Sequence, residues 1–262
     1  MNAGKGKYLK RINDQIVTFR MGFTNDFLIT LSDGYLLIDT GYYHKFDQFV
    51  AELKKAEIDL EEIRFLFLTH HHDDHVGFAR EFLLKSPAKL IVHKNALPFL
   101  GLGIHDGRGE HWNHWVHRML SPLSKVLNHQ FPRLHVREDD VIIANGYSKA
   151  LRKIGLEADL ISTPGHSSDS TSIVTDDGVA IVGDTAMNLL NLGETRYLPF
   201  FIQDIEELFR SWRKLVSFGT KYVYPSHGRP FVVEKLIGEL RVSNRSGYCG
   251  CRPKKRLVLH IS

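Results

Sequence analysis

The sequence predicts an α/β protein in which sheets form the interior and helices cover them. Short apolar runs typical of strands alternate with longer segments of helical spacing along most of the 262 residues. No internal repeat, low-complexity stretch or long linker interrupts this alternation. We therefore expect a single domain spanning residues 1–262, which is long enough for a large buried core.

Strands are predicted where short apolar or alternating runs end at turn residues. They are residues 15–19, 26–31, 35–39, 63–69, 89–93, 157–163, 171–184 (a hairpin turning at DDG) and 221–225. Helices are predicted where apolar residues recur every three or four positions. They are residues 45–56, 75–84 (with Asp74 near the N-cap), 205–218 and 230–242.

Composition restricts the class of partner. The chain is 43% hydrophobic and 24% charged, as in ordinary globular proteins, and its net charge of +4 is too small to indicate nucleic acid or an anionic membrane. No apolar run approaches the length of a membrane span, and the basic start lacks the apolar stretch of a signal peptide. Cys249 and Cys251 are too close together for an unstrained disulfide. We expect a cytoplasmic protein that binds a small-molecule substrate; its oligomeric state stays open.

Side chains of the kind that bind metals follow five of the predicted strands. These are Asp39 at the end of YLLID, His70 to His75 after IRFLFLT, His166 after DLIST, Asp184 at the end of VAIVGD and His227 after KYVYP. Strand ends that gather at one edge commonly carry a functional site, because the sheet fixes the loops that hold the side chains. The high histidine count of 15 is consistent with such a site.

The stretch THHHDDHVG, residues 69–77, predicts two metal ions rather than one. In an extended segment alternate side chains share a face, so His70 and His72 converge and His71 points away. Asp74 returns to the same face as the chain turns into a helix, with His75 beside it. Four groups are too many for one tetrahedral ion that keeps an open position. His70 and His72 are therefore assigned to one ion, and Asp74 and His75 to the other.

Distant residues complete each predicted set. His166 and His227 supply one further ligand to each ion, and Asp184 can bridge both ions with its two oxygens. Nitrogen and carboxylate ligands without thiolate suit two divalent ions of zinc, although manganese or iron could occupy the same set. His71 and Asp73 are left as spacers, with Asp73 expected to bond amides at the helix start.

The motifs together resemble the metallo-β-lactamase superfamily. HHHDDH matches the H-x-H-x-D-H signature, and the motifs LIDTG, TPGHS, VGDT and PSHG follow the order of that family over residues 15–230. The resemblance implies a four-layer αββα sandwich with the metals at one edge. It also implies a hydrolase that uses a hydroxide bridging two metal ions. In that scheme Asp74 orients the hydroxide, and Asp39 fixes a ligand imidazole by hydrogen bonding or alternatively caps the DTG turn.

Within the superfamily, the motifs favour the branch of glyoxalase II-like thioesterases and lactonases. The bridging Asp184 is lacking in true β-lactamases. Two departures weaken a closer assignment: Asn188 stands where lactonases commonly have a tyrosine, and RPKKR at residues 252–256 is not followed by a helical glutathione-binding part. We therefore expect hydrolysis of a small ester, thioester or lactone.

Three alternatives stay open. One is a phosphodiesterase or ribonuclease of the same superfamily, although the basic segment at residues 252–256 is short for RNA. Another is a metal-binding regulatory protein without turnover. A third is a mononuclear iron dioxygenase that uses His70, His166 and Asp184.

Residues 93–135 form a predicted insertion that is rich in histidine. Its segment EHWNHWVHRML has Trp112, Trp115 and Met119 at helical spacing, with three histidines on a neighbouring face. One interpretation is a helical lid that lines the substrate entrance with aromatic rings. The other is a helix that packs its tryptophans into the core and leaves its histidines in solvent.

Overall fold

The computed structural model describes residues 9–11, 15–105, 130–144, 146–189 and 196–245. Within these ranges the chain forms two mixed sheets with helices on their outer faces. The segment EHWNHWVHRML, both cysteines and the basic segment 252–256 lie outside the described residues.

The described strands and helices follow the predicted alternation. The strands are β1 (Leu9–Arg11), β2 (Ile16–Met21), β3 (Thr24–Leu31), β4 (Gly34–Ile38), β5 (Ile63–Phe67), β6 (Lys89–His93), β7 (Val141–Ile143), β8 (Tyr147–Ser148), β9 (Ala158–Ser162), β10 (Thr171–Thr175), β11 (Val179–Ile181), β12 (Tyr222–Tyr224) and β13 (Phe231–Val232). The helices are α1 (Phe46–Lys55), α2 (Asp73–Val76), α3 (Ala79–Lys85), α4 (Leu97–Leu102), α5 (Ile205–Ser217) and α6 (Glu234–Arg245).

The first sheet contains β1 to β7 in chain order. β1 to β4 pair antiparallel, and β4 to β7 pair parallel. Ile38 of β4 is aligned with Phe67 of β5, and the Asp39 amide continues the ladder with a 2.9 Å bond to the Phe67 carbonyl. Because parallel strands end at the same edge, Asp39 and the segment from Thr69 onward emerge side by side.

The second sheet has the order β13-β12-β11-β10-β9-β8. β11 is parallel to β12, and β9 runs in the same direction because both β9 and β11 are antiparallel to β10. The carboxyl ends of β9, β11 and β12 therefore share one edge, and His166, Asp184 and His227 follow them. The Thr171 amide bonds the Thr69 carbonyl at 2.9 Å and joins this edge to the first sheet.

Alternate side chains of the strands enter different layers of the core, as the two-residue period of a strand requires. Leu36 and Ile38 pack between the sheets, whereas Leu37 packs with residues of α1 to α4. In the second sheet, Leu160 faces the first sheet and Ile161 packs with residues of α5 and α6. The layers run helix, sheet, sheet, helix, and the predicted αββα sandwich is confirmed.

The predicted helix over residues 75–84 is wrong as a single helix, because it is divided into α2 and α3. The Gly77 amide donates to the Gly41 carbonyl at 2.9 Å instead of continuing the helical ladder. A Cβ on Gly77 would lie 2.1 Å from the Tyr43 nitrogen, so this close approach requires glycine. Asp74 lies in the first turn of α2, and His72 occupies the N-cap.

The last predicted helix, residues 230–242, begins later than the sequence pattern indicates. Phe231 and Val232 instead form the edge strand β13, paired with Val223 and Tyr222 of β12. The helix α6 then starts at Glu234. The backbone of this apolar pair forms its hydrogen bonds with the neighbouring strand. The helical spacing of the local sequence does not reveal such a pairing.

None of the described helices is both long and apolar enough to span a bilayer.

Candidate metal centre

The predicted ligands meet at the shared edge of the two sheets. His70, His72 and His166 form a first group, in which His166 Nε2 lies 3.1 Å from His70 Nε2 and 2.9 Å from His72 Nδ1. All three rings are buried. Three imidazole nitrogens therefore converge on one point, as the alternation of the HHH segment predicts for His70 and His72.

Asp74, His75 and His227 form a second group beside the first. His227 Nε2 lies 3.1 Å from Asp74 Oδ2, and His75 Nε2 lies 3.6 Å from Asp74 Oδ1. Both histidines are buried, whereas the Asp74 side chain keeps 18% of its surface exposed. Solvent thus reaches this group through Asp74.

Asp184 lies between the two groups. Its Oδ1 is 3.5 Å from His75 Nε2, and its Oδ2 is 3.6 Å from His166 Nε2 and 3.5 Å from His227 Nε2. The carboxylate of Asp184 therefore approaches histidines of both groups, as a bridging ligand must.

Asp39 controls the orientation of two of these histidines. Its Oδ2 accepts hydrogen bonds from His75 Nδ1 and from the Thr69 hydroxyl, both at 2.8 Å. The Thr69 oxygen lies 3.0 Å from His70 Nδ1. Since the Thr69 proton goes to the carboxylate, His70 Nδ1–H donates to Thr69. The Nε2 atoms of His70 and His75 are consequently the atoms that face the site.

Backbone carbonyls fix two further histidines of the site in the same way. His166 Nδ1 donates to the Phe201 carbonyl at 2.7 Å, and His227 Nδ1 donates to the Phe23 carbonyl at 3.1 Å. Each ring then presents Nε2 to the interior of the site. Such partners on the distal nitrogen are typical of histidines that bind metals.

Packing beneath the loops holds the ligands in place. Gly165, with φ +134, lies against the α5 backbone so closely that a Cβ there would come within 2.4 Å of the Leu208 Cα atom. The buried Trp212 of α5 donates from its indole Nε1 to the Thr185 carbonyl at 2.7 Å. Asn25 of β3 bonds the Gly228 carbonyl through its side chain at 2.9 Å. The loops of His166 and Asp184 are both secured by α5, and the loop of His227 is secured by β3.

The charge states of the two groups differ in the absence of metal. Burial lowers the pKa of His70, His72 and His166, and neighbouring histidines lower it further. These rings are neutral near pH 7, and their free lone pairs suit a cation.

In the second group, burial also lowers the pKa of the histidines, but adjacent carboxylates outweigh it. Asp74 and Asp184 raise the pKa of His75 well above its usual value, and they raise that of His227 to about 10. Burial raises the pKa of Asp184, yet His227 and His75 bring it well below its ordinary range. The second group therefore consists of protonated histidines paired with ionised carboxylates. A bound cation would displace the protons of these histidines.

The donor atoms fit metal ions in spacing and in bonding. A tetrahedral ion with ligand bonds of about 2.0–2.1 Å places its ligand atoms about 3.4 Å apart. The distances of 2.9 to 3.6 Å at this site bracket that value. Within the described residues, the buried atoms His75 Nε2 and Asp184 Oδ1 have no hydrogen-bond partner. Atoms of three overlapping sets, each within 4.8 Å, could hold an ion: His70, His72, His166; His70, His75, Asp184; and Asp74, His75, His227.

Two residues near the site have contacts that the sequence prediction missed. His71, predicted as a spacer, points away from the site, and its Nδ1 lies 2.9 Å from Asp169 Oδ1. His105 stacks on His72 with ring centres 3.8 Å apart and lies 3.2 Å from Asp73 Oδ1. The many histidines of residues 93–135 drew attention to the segment that contains His105. This segment was treated as a helical insertion, and the position of His105 beside His72 was not predicted. Nothing local indicated Asp169.

The predicted insertion is described only at its two ends. Residues 94–105 contain a short 3-10 turn and α4, and Ile104 pairs with Gln130 in an isolated bridge. Trp112, Trp115 and Met119, on which both interpretations depend, lie outside the described residues. The lid stays a prediction.

Known proteins resemble this chain over most of its length. A probable metallo-hydrolase of Bacillus subtilis (strain 168), YflN, is 26% identical over an alignment of 231 positions that covers 80% of this chain and 82% of that protein. A beta-lactamase-like protein 2 homolog of Caenorhabditis elegans is 23% identical over 221 residues, which are 84% of this chain and 60% of that protein.

Solved structures share the fold. A subclass B3 metallo-beta-lactamase of Bradyrhizobium japonicum aligns with a TM-score of 0.62 at 18% identity, covering 92% of both chains. An archaeal metallo-beta-lactamase superfamily protein from Sulfolobus tokodaii aligns with a TM-score of 0.59 at 19% identity, covering 95% of this chain and 91% of that one. The family model of the metallo-beta-lactamase superfamily matches residues 20–227, most of the chain and the whole of the site. The protein belongs to the metallo-beta-lactamase superfamily.

Proposed function

We propose that this protein is a hydrolase that uses two divalent metal ions, zinc in the first instance, to cleave a small ester, thioester or lactone. The observation that carries the proposal is the position of Asp184, whose two oxygens lie within 3.6 Å of histidines from both donor groups. A shared carboxylate between two groups of nitrogen donors is the arrangement that a two-ion site needs. The resemblance to a probable metallo-hydrolase supports the same class of reaction.

Each group has a defined part in this proposal. His70, His72 and His166 would hold one ion, and Asp74, His75 and His227 the other, with Asp184 shared. When bound, the ions would supply a water-derived nucleophile at neutral pH and Lewis acidity toward the substrate oxygen. Two dications carry four positive charges, of which Asp74 and Asp184 offset two. The centre therefore stays positive and favours negative charge that develops on a substrate oxygen.

Of the two predicted catalytic aspartates, one would act directly on the reacting groups and the other through a metal ligand. Asp74 is the more exposed carboxylate of the site, at 18% against 4% for Asp184, so it can accept a hydrogen bond from the attacking water and receive its proton. Asp39 is buried behind His75 and acts as a positioning residue through its hydrogen bonds. We further propose a small-molecule substrate and a cytoplasmic location, in line with the mild net charge of +4 and the poor placement of the two cysteines for a disulfide.

A hydrolysis panel tests the reaction class. Metal-reconstituted protein is assayed with thioesters, lactones, carboxylic esters and phosphodiesters, including RNA. We expect turnover of one of the first three classes, reduced at least about 10–100-fold by Asp184→Asn. Asp33→Asn, a change of the same chemistry at a side chain that is 90% exposed, is the matched control and should retain activity.

Other outcomes select the alternatives. Cleavage of phosphodiesters alone would identify a phosphodiesterase or ribonuclease. Full metal loading without turnover of any class would identify a metal-binding regulatory protein.

A further inference from the structure

His71 lies between two proposed ligands but belongs to a separate pair behind the site. Its Nδ1–H donates to Asp169 Oδ1 at 2.9 Å, and both side chains are fully buried. Its ring stacks on Phe99 of α4, with centroids 4.1 Å apart and planes 14° apart. The ring is thus held on one face by an aromatic side chain and at one nitrogen by a carboxylate.

This pair joins the two loops that form the three-histidine group. His71 is flanked by His70 and His72, and Asp169 lies three residues after His166. One side-chain hydrogen bond therefore spans the gap across which His166 must meet the other two imidazoles. The Asp169 loop is also secured at its neighbour, because the Asn95 side chain donates to the Ser168 carbonyl at 3.0 Å.

Stability alone is a weak reason for such a pair. Burying a carboxylate is costly, and an apolar pair of similar size is often equally stable. Asp169 Oδ2 is buried and has no hydrogen-bond partner among the described residues, so the cost is only partly offset. Burial raises the pKa of Asp169, but the charge and N–H of His71 bring it below its ordinary value. Asp169 is ionised, and its Oδ1 is directed at His71.

We propose that His71 and Asp169 form a positioning pair that sets the spacing of the His70, His72 and His166 nitrogens and thereby strengthens binding of the ion that they hold. The proposal rests on the metal site of the proposed function. It adds that two residues that are not ligands are needed for tight binding of one ion. Fixing the ligands before the ion arrives raises affinity, because less conformational freedom is lost on binding.

The decisive variant is the double substitution His71→Phe/Asp169→Leu. It keeps the ring that stacks on Phe99 and leaves no unpaired charge, so the fold should survive with a midpoint of thermal unfolding within about 5 °C of the unsubstituted protein when both are free of metal. The readouts are Zn²⁺ affinity by competition with a chelator and the absorption spectrum of the Co²⁺-loaded protein. Asp159→Asn, a change on β9 that breaks the ion pair of Asp159 with Arg152 away from the site, is the matched control.

We expect the double variant to bind its tighter Zn²⁺ ion about 10–100-fold more weakly, with an altered Co²⁺ spectrum and unchanged binding by the control. Affinity within about threefold of the unsubstituted protein would overturn the proposal, because a merely structural pair leaves metal binding unaffected once the fold is restored. Should the double variant fail to fold, Asp169→Asn, which keeps an acceptor for His71, decides instead: unchanged affinity overturns the proposal and a loss of about tenfold supports it. Failure of the unsubstituted protein to bind metal would overturn the proposed function as well.

Discussion

Asp39 Oδ2 accepts a hydrogen bond from His75 Nδ1 at 2.8 Å, and both side chains are buried. Asp39 adopts φ 61°, in the left-handed region, which turns its carboxylate from the end of β4 toward the next strand. The same carboxylate accepts from the Thr69 amide and hydroxyl, and Thr69 contacts His70. One carboxylate thus orients a histidine of each donor group.

Asp39→Asn should weaken both ions together. Asparagine tolerates the left-handed backbone, so the strain at this position does not change. Asparagine has only one acceptor oxygen, so the bonds from the Thr69 amide and from His75 Nδ1, which reach different oxygens of Asp39, cannot both persist. We expect Zn²⁺ affinity to fall about 10–100-fold at each group, with turnover falling in parallel. Chelator competition measures this, Asp33→Asn is the control, and loss of one ion alone would contradict a shared role.

The two ions should release different numbers of protons on binding. The pKa values of His70, His72 and His166 are lowered, so the first ion meets neutral rings. The pKa values of His75 and His227 are raised, so the second ion displaces their protons. At pH 7 we expect release of about zero protons for the first ion and about two for the second. Calorimetry in two buffers of different ionisation enthalpy measures both numbers; equal release would contradict the charge assignment.

The metal-free protein should lose stability as the pH rises above neutrality. The pKa of His227 is about 10 in the folded chain against 6.5 ordinarily, so folding favours its protonated form. This contribution is fully present below pH 6.5 and disappears as the pH rises through about 10. Urea unfolding of the metal-free protein at pH 6, 8 and 10 should show a falling free energy of unfolding. His227→Gln should reduce the decrease in the free energy of unfolding between pH 6 and pH 10. A decrease as large as that of the unsubstituted protein would show that another group causes it.

Trp212 should matter to the site as well as to the fold. Trp212→Phe keeps the buried ring but leaves the Thr185 carbonyl, next to Asp184, without its indole donor. We expect a loss of about 1–3 kcal/mol in the free energy of unfolding and a measurable loss of metal affinity. Leu215→Ala, at a fully buried position on the same face of α5, should cost about 2–5 kcal/mol without affecting metal affinity. Equal effects of both variants on metal binding would make Trp212 merely a core residue.

Local periodicity was enough to predict sheets covered by helices, whereas the four-layer order of the sandwich was implied by the resemblance to the metallo-β-lactamase superfamily. Alternation along an extended chain separates His71 from His70 and His72, and the structure places the three rings accordingly. Asp184 follows a parallel strand of the second sheet, so its arrival at the same edge follows from strand direction.

The elements that sequence reasoning missed depend on contacts between distant segments. Gly77 ends α2 because its amide bonds Gly41, which lies in the loop after another strand. Asp169 meets His71 across 98 positions of the chain, and no periodicity reports such a pair. The predicted start of the last helix at residue 230 was wrong for the same reason, because Phe231 pairs with Val223 at the edge of the second sheet.

Two donor groups that share Asp184 should hold one ion each, so the metal content per chain distinguishes a two-ion site from a single-ion site. Elemental analysis of the purified, zinc-reconstituted protein should give about two ions per chain, and Asp184→Asn should lower both occupancy and turnover. A single tightly bound iron with no zinc, unaffected by His227→Gln, would contradict a two-ion site and favour a mononuclear iron site.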